Sequence, residues 1–454
     1  TSIAGSSKSN STYLHFPSSS CVSLVATGRR RADMPAARAD VRRVFDGMPP
    51  SKKDKKAPTA AAVDRIGALP DEILHHLLSF LPAQEAVRTC VLARRWRHLW
   101  KFATGLRIVE FEDARSVQDV RKFVDHLLIL RGHVGLNTFE LELSGFSEDD
   151  VPYLNLWTRL AVLCNVRALT LHLYHIEFLC AKLDGLPLVS QHLRTLDLRG
   201  VSLQGSFLDF SRCPALEDLK MRHCQIDVDK MSSLSLKRLS IIFCRSALDH
   251  RVSVSAPCLV SFTLDSFAGR TPLLESMPTL EIAYVELGRA CSDFCHNYIN
   301  RGFCGANVAP CVNCLGYSDE SRNTVLLGAI CNAKHLELIS PLGMMIFARD
   351  LKSCPIFNKL STLLLNAYWC VGPEFHALTC ILKHTPVLEK LTLQLVSEEQ
   401  VHKVEMKGSY SSTERPTGIS EHLKLVSVKY NVVDDRILQL LKFMCTFNIR
   451  FSFE

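Results

Sequence analysis

A six-residue pattern recurs along most of the chain: an apolar residue, two variable positions, then two more apolar residues separated by one. It stands as LNTFEL at 136, VRALTL at 166, LRTLDL at 193, LEDLKM at 216, LKRLSI at 236, LVSFTL at 259, AKHLEL at 333, LSTLLL at 360 and LEKLTL at 388. From 136 to 259 the spacings are 30, 27, 23, 20 and 23 residues. Each segment alternates as a strand that buries one face. A single short strand of this kind has nothing to bury that face against, so the repetition demands stacking into one parallel sheet with a shared core.

Two further signals recur in register with it. Pro214, Pro257, Pro278 and Pro386 stand two residues before an apolar first position, where proline ends the preceding element and prepares an extended entry. Cys224 and Cys244 occupy the ninth position of their repeats. Over 105–396 the chain resembles the irregular leucine-rich repeats of plant proteins, where that ninth position takes Asn or Cys to tie down the turn. The resemblance implies an α/β solenoid whose open sheet face binds a protein partner. The candidate contact residues are the non-apolar strand positions, among them Arg194, Thr195, Asp197, Glu217, Asp218, Lys220, Lys237, Arg238 and Ser240, which mix both signs of charge.

Ahead of the array, residues 64–101 hold too much apolar surface for their length. Ile73, Leu74, Leu77, Leu78 and Leu81 recur at helical spacing after Pro70 and stop at Pro82, which predicts a first helix with one apolar stripe. A second helix is expected over 83–91, and a third over 94–101 carrying Trp96, Leu99 and Trp100. Three short helices enclose too little core to stand alone. The segments LPDEILHHLLSFLP and EAVRTCVLARRWRHLW resemble the plant form of the F-box over its full length. That resemblance implies docking onto a Skp-type adaptor, which links to a cullin scaffold and a RING subunit. Carried onto this chain, the adaptor-facing positions are Leu69, Pro70, Ile73, Leu77, Leu81, Pro82, Val91, Trp96 and Leu99, so the partner covers the surplus. The chain departs at Ala93, where plant members usually have Ser; losing such a helix cap typically costs about 1 kcal/mol.

Of 53 Lys and Arg and 46 Asp and Glu, residues 1–63 hold 11 and 4, leaving 42 of each sign elsewhere. The body is therefore neutral, which argues against a nucleic-acid-binding face. No uninterrupted apolar run reaches the length of a membrane span. The tail over 1–63 is rich in Ser, Ala, Arg and Pro and is expected to be disordered. Its first 31 residues superficially fit a transit peptide, although translation from Met34 or Met48 is the simpler reading. SKKDKK at 51–56 reads as a nuclear import signal or as a solvated linker. The expected location is the nucleus, the cytoplasm or both, and the 18 cysteines are expected as free thiols.

Five cysteines and His296 crowd into 291–314, interrupting the repeats. Cys291-x3-Cys295 and Cys311-x2-Cys314 lie near the spacing of a four-cysteine zinc site. An irregular loop with packed or exposed thiols is the other reading, a catalytic Cys-His pair a third. No cofactor is expected. The closing region, 397–454, reads as a polar loop, a strand with Leu423, Leu425 and Val428, an amphipathic helix with Ile437, Leu440, Leu441 and Met444, and a last strand in FNIRFSFE. It is similar to the FBD segment of plant F-box proteins, and its expected role is to cap the array.

Together these resemblances imply a non-catalytic substrate-recognition subunit of a Skp–cullin–F-box ubiquitin ligase. The alternatives are a binding scaffold that transfers no ubiquitin, and an enzyme centred on the cysteine cluster. Gly-rich phosphate loops, nucleophile elbows and two-histidine zinc helices are absent from the sequence.

Overall fold

A computed structural model describes residues 66–109, 117–132, 134–145, 147–174, 180–297, 311–315, 324–370, 375–395, 420–430, 435–444 and 450–453, all within one unit, Arg65–Glu454. The tail over 1–63, with SKKDKK, and the polar loop expected near 400 lie outside the described residues.

Thirteen parallel strands form the principal sheet, in chain order from Gly105–Ile108 to Arg450–Phe453. All nine recurring segments supply one, each strand beginning two residues after the first apolar position, as in Thr195–Arg199, Asp218–Arg222 and Arg238–Ile242. The other four are Gly105–Ile108, Ile282–Glu286, Leu425–Lys429 and Arg450–Phe453. Register is strict: Leu196 pairs with Leu219, Leu219 with Leu239, Leu239 with Phe262 and Phe262 with Ala283. Buried residues thus stack on buried residues, because a slip of one position would turn every leucine to solvent.

The four prolines open tight turns. Leu216, Leu259, Leu280 and Leu388 donate backbone hydrogen bonds to the carbonyls of Cys213, Ala256, Met277 and Thr385 at 3.1, 3.2, 3.2 and 3.4 Å. Proline's fixed φ suits the second position of such a turn, where Pro214, Pro257, Pro278 and Pro386 stand. The chain leaves successive strands through left-handed residues: Gly200, His223, Phe243 and Ser266 have φ of 69°, 51°, 51° and 50°. At Gly200 a Cβ would meet the Leu173 carbonyl oxygen at 2.1 Å, so only glycine fits. After His223 and Phe243, the buried thiols of Cys224 and Cys244 donate to the carbonyls of Leu198 and Met221 in the preceding repeat, at 3.5 and 3.4 Å. That is how the ninth-position cysteine ties down its turn.

Repeat length decides what crosses the back of the sheet. The long early repeats have room for the helices Val117–Arg131 and Val151–Leu163. The shorter ones return through small strands such as Gln225–Asp227, Lys230–Ser232 and Ser253–Ser255, which form two three-stranded sheets. The C-terminal region closes the array by extending it: Leu425–Lys429 pairs with Lys390–Gln394, and Arg450–Phe453 pairs in turn with Leu425–Lys429. Register puts Val426 and Val428 in the core, and Leu425, expected inside, on the half-buried open face. In the helix Asp435–Met444, Leu440 and Phe443 are buried.

The N-terminal helices differ in detail from expectation. The first is α-helical over Asp71–Leu78, and the second ends at Arg88 and tightens into a 3-10 turn, Thr89–Val91. The third, Arg94–Phe102, is 3-10 throughout. It is tied at both ends, by Arg95 to the Leu69 carbonyl and Asp71, and at the Trp100 carbonyl by Arg131. A 3-10 helix rises about 2.0 Å per residue against about 1.5 Å for an α-helix, so nine residues reach further between fixed ends. These helices join the array directly. Pro82 forms a parallel bridge with Arg107, whose guanidinium donates to the Phe80 carbonyl at 3.0 Å and pairs with Glu140 at 2.6 Å. Gly105 lies so close to Ser79 that a Cβ would meet its carbonyl oxygen at 2.8 Å.

Candidate protein-interaction surfaces

The helix Asp71–Leu78 does not carry one apolar stripe but two. Leu74 and Leu78 are buried in the chain's own core, whereas Ile73 and Leu77 are each 46% exposed. Leu81, in the turn that follows, is also exposed, as is Pro70 ahead of the helix. Val91 is 83% exposed, on the 3-10 turn that ends the second helix. Five of the nine expected docking positions therefore stand out from the molecule.

The other four do not. Leu69 and Trp96 are half-buried and pack against the core. Pro82 is half-buried at its bridge to Arg107. Leu99 is only 5% exposed. Contrary to the expectation that it faces the adaptor, Leu99 points inward with Trp100, where both help join the helices to the array.

Phe80, Leu92, Ile66 and Phe102 are exposed apolar residues that sequence reasoning missed. For Phe80 the signal was present, since Ile73, Leu77 and Phe80 follow the i, i+4, i+7 spacing of one helical face. Fully burying each such side chain would be worth about 1.5–3 kcal/mol, which makes this exposed set the first candidate interaction surface.

The open sheet face carries the second candidate surface. Thr195, Asp197, Asp218, Lys220, Arg238 and Ser240 lie on it as expected, opposite the buried leucines. Arg194, Glu217 and Lys237 come one residue before the strands, at the rim, where Lys237 pairs with Glu217 at 2.9 Å. Several face residues are already paired across strands: Arg238 with Asp218, and Arg222 with Asp197 at 3.0 Å. Missed by sequence reasoning was the next outward position of each strand, which adds Glu142, His172, Arg199 and Arg222.

His172 is the centre of this group. Its Nδ1 lies 3.0 Å from Glu142 and its Nε2 3.1 Å from Asp197. The hydrogen bond to Asp197 outweighs the opposing effect of burial, and with help from Glu142 it raises the imidazole above its ordinary value. Burial pushes Asp197 up, but His172 and Arg222 hold it below the usual carboxylate range. Beside them Arg199 stacks over the Tyr174 ring, 4.6 Å from its centroid. Further along the sheet, on three successive strands, Asp265, Glu286 and Glu337 form no ion pair among the described residues.

The cysteine-rich segment is only partly as its spacing implied. Cys295, Cys311 and Cys314 bring their sulfurs within 4.8 Å of one another. Cys291 is not in that group. Its buried thiol lies 3.3 Å from the Thr271 hydroxyl, and burial pushes it up to about 11.

Comparison with known proteins agrees with this architecture. Residues 66–102 match the F-box domain, and residues 137–282 match the leucine-rich repeats of the FBD-associated F-box protein At5g56370. F-box/LRR-repeat protein At4g14103 of Arabidopsis thaliana is 30% identical over 373 residues, 73% of this chain and 91% of the relative. FBD-associated F-box protein At4g10400 of the same plant is 29% identical over 374 residues, covering 75% and 79%. F-box protein At4g09920 is 32% identical over 259 residues, covering 50% and 81%. With the F-box and repeat matches, this similarity places the chain in the plant F-box/leucine-rich-repeat protein family.

Proposed function

We propose that this chain is the substrate-recognition subunit of a Skp–cullin–F-box ubiquitin ligase, acting in the nucleus or cytoplasm. Its F-box docks onto a Skp-type adaptor, and through it onto cullin and RING subunits. The open sheet face holds a target protein, not a nucleic acid or a membrane. The chain performs no chemistry; by tethering the target it makes its encounter with the ubiquitin carrier effectively intramolecular.

The observation that carries this reading is the set of exposed apolar side chains on the F-box, Ile73, Leu77, Phe80, Leu81, Val91 and Leu92. Their neighbours Leu74, Leu78 and Leu99 are buried, so the module folds against the array and still presents an apolar face outward. Anchors of this kind typically cost at least about 2 kcal/mol each when truncated at an interface.

The test is co-purification of the full chain with a Skp homologue, followed by ubiquitination of the proteins it retains. Wild type should bind the adaptor and modify its target; a Leu77→Asp/Val91→Asp variant should keep the target and lose the adaptor. Wild-type binding to the adaptor without target modification would favour the scaffold reading. No binding to any Skp homologue would overturn the proposal.

A further inference from the structure

We infer that Cys295, Cys311 and Cys314 are thiolate ligands of one zinc ion, with His296 as the fourth donor. Nothing in the F-box or the repeat face requires such a site.

The inference starts from convergence. Three sulfurs from two chain segments lie within 4.8 Å of one another, and Cys295 is fully buried. Thiolates bound at about 2.3 Å around a tetrahedral zinc ion sit about 3.8 Å apart, so loading requires a contraction of only about 1 Å. Cys311 immediately precedes the short helical turn Val312–Leu315 and Cys314 lies within it, a spacing of three that brings both to one side.

Both segments are held in place by contacts other than the thiols. The Cys295 amide donates to the Gly343 carbonyl at 2.9 Å, and Phe294 bridges Met344. The Asn313 side-chain amide donates to the Phe294 carbonyl at 2.8 Å and lies 3.2 Å from His296 Nε2. Asn313 stands between Cys311 and Cys314, so this contact holds the exposed imidazole beside the turn; its ring nitrogens lie outside the 4.8 Å group of sulfurs, and ligation requires the ring to rotate inward.

The chemistry fits zinc. A set of three Cys and one His is a common closed tetrahedral site, and thiolates select soft or borderline ions over magnesium or calcium. The segment also has a use for one. Between the strand Ile282–Glu286 and the strand His335–Ile339 the chain departs from the repeat, and a metal bridging Cys295 to Cys311 and Cys314 ties together two segments of that departure.

A second trio, Cys354, Cys380 and His384, also gathers within 4.8 Å. It contributes only two thiols, which makes it the weaker site for a thiophilic ion. It serves as the internal control.

The experiment measures zinc in the full-length chain, purified under reducing conditions from zinc-supplemented medium without chelator, by mass spectrometry of the metal. Wild type and Cys354→Ser/Cys380→Ser should carry about one zinc per chain, while Cys311→Ser/Cys314→Ser falls at least about tenfold and His296→Ala binds more weakly. Because the double cysteine variant could misfold, wild type is also stripped and titrated with cobalt, whose thiolate charge-transfer band reports sulfur ligation directly. Metal-free wild type, zinc retained by Cys311→Ser/Cys314→Ser, zinc lost from the control variant instead, or cobalt bound without that band would each overturn the assignment. Unchanged affinity in His296→Ala would overturn the fourth ligand.

Discussion

Arg131, the last residue of the helix Val117–Arg131, donates to the carbonyl of Trp100 at 3.0 Å and to that of Ala103 at 2.8 Å. The first carbonyl belongs to the end of the F-box and the second to the residue just past it, and the Arg131 that satisfies them is 5% exposed. Together with the Pro82–Arg107 bridge, this contact makes the F-box continuous with the first repeats. An adaptor seated on the F-box would then hold the open sheet face in a fixed orientation, which is what presenting a target to a ubiquitin carrier requires.

Replacing Arg131 by Met should destabilise the junction by about 3 kcal/mol, because two buried carbonyls lose charge-assisted donors. Burial pushes this guanidinium down to about 10, so it remains charged at neutral pH and donates fully. Denaturant unfolding measures the loss, and limited proteolysis should show earliest cleavage near residues 100–116. An unchanged midpoint would mean that the junction is held elsewhere.

Ala93 precedes the 3-10 segment Arg94–Phe102 in extended conformation and makes no side-chain cap. Ala93→Ser supplies the missing acceptor and should stabilise the chain by about 1 kcal/mol. Differential scanning calorimetry should show a higher Tm, with adaptor affinity preserved because no docking side chain changes.

Val91 and Leu99 separate docking from folding. Val91→Asp, at an exposed position, should leave the unfolding midpoint within about 0.5 kcal/mol of wild type while weakening adaptor binding at least tenfold. Leu99→Ala, in the core, should cost about 2–5 kcal/mol of stability. Calorimetry paired with adaptor titration distinguishes them; equal losses of stability would refute the surface assignment.

His172 makes the sheet face sensitive to pH. Its imidazole is raised by Asp197 and Glu142, so its contribution to stability is fully present below the unfolded value of about 6.5. It is lost as pH rises through the higher folded value. The difference in denaturation midpoint between wild type and His172→Gln should therefore be largest near about pH 6 and shrink toward about pH 8. The opposite trend would mean that the imidazole is neutral in the folded chain.

Much of this architecture is legible in local sequence. Strand positions at all nine recurring segments and the four proline-led turns follow from patterns within about ten residues, because alternation and turn chemistry are local properties, while the tying role of Cys224 and Cys244 came from the resemblance to leucine-rich repeats. The F-box was legible for the same reason, through the order of its Leu-Pro and Trp positions. Local pattern states which residues are apolar, but not what covers them.

Tertiary structure alone decided the covering. Leu74 and Leu99 are buried in the core shared with the array while Ile73, Leu77 and Val91 remain outward, since the array covers only part of the apolar surface of these helices. It also separated Cys291, buried beside Thr271, from the converging sulfurs of Cys295, Cys311 and Cys314, and continued the sheet through the C-terminal strands. Each outcome depends on contacts between separate chain segments, whose relative placement no periodicity within a segment encodes.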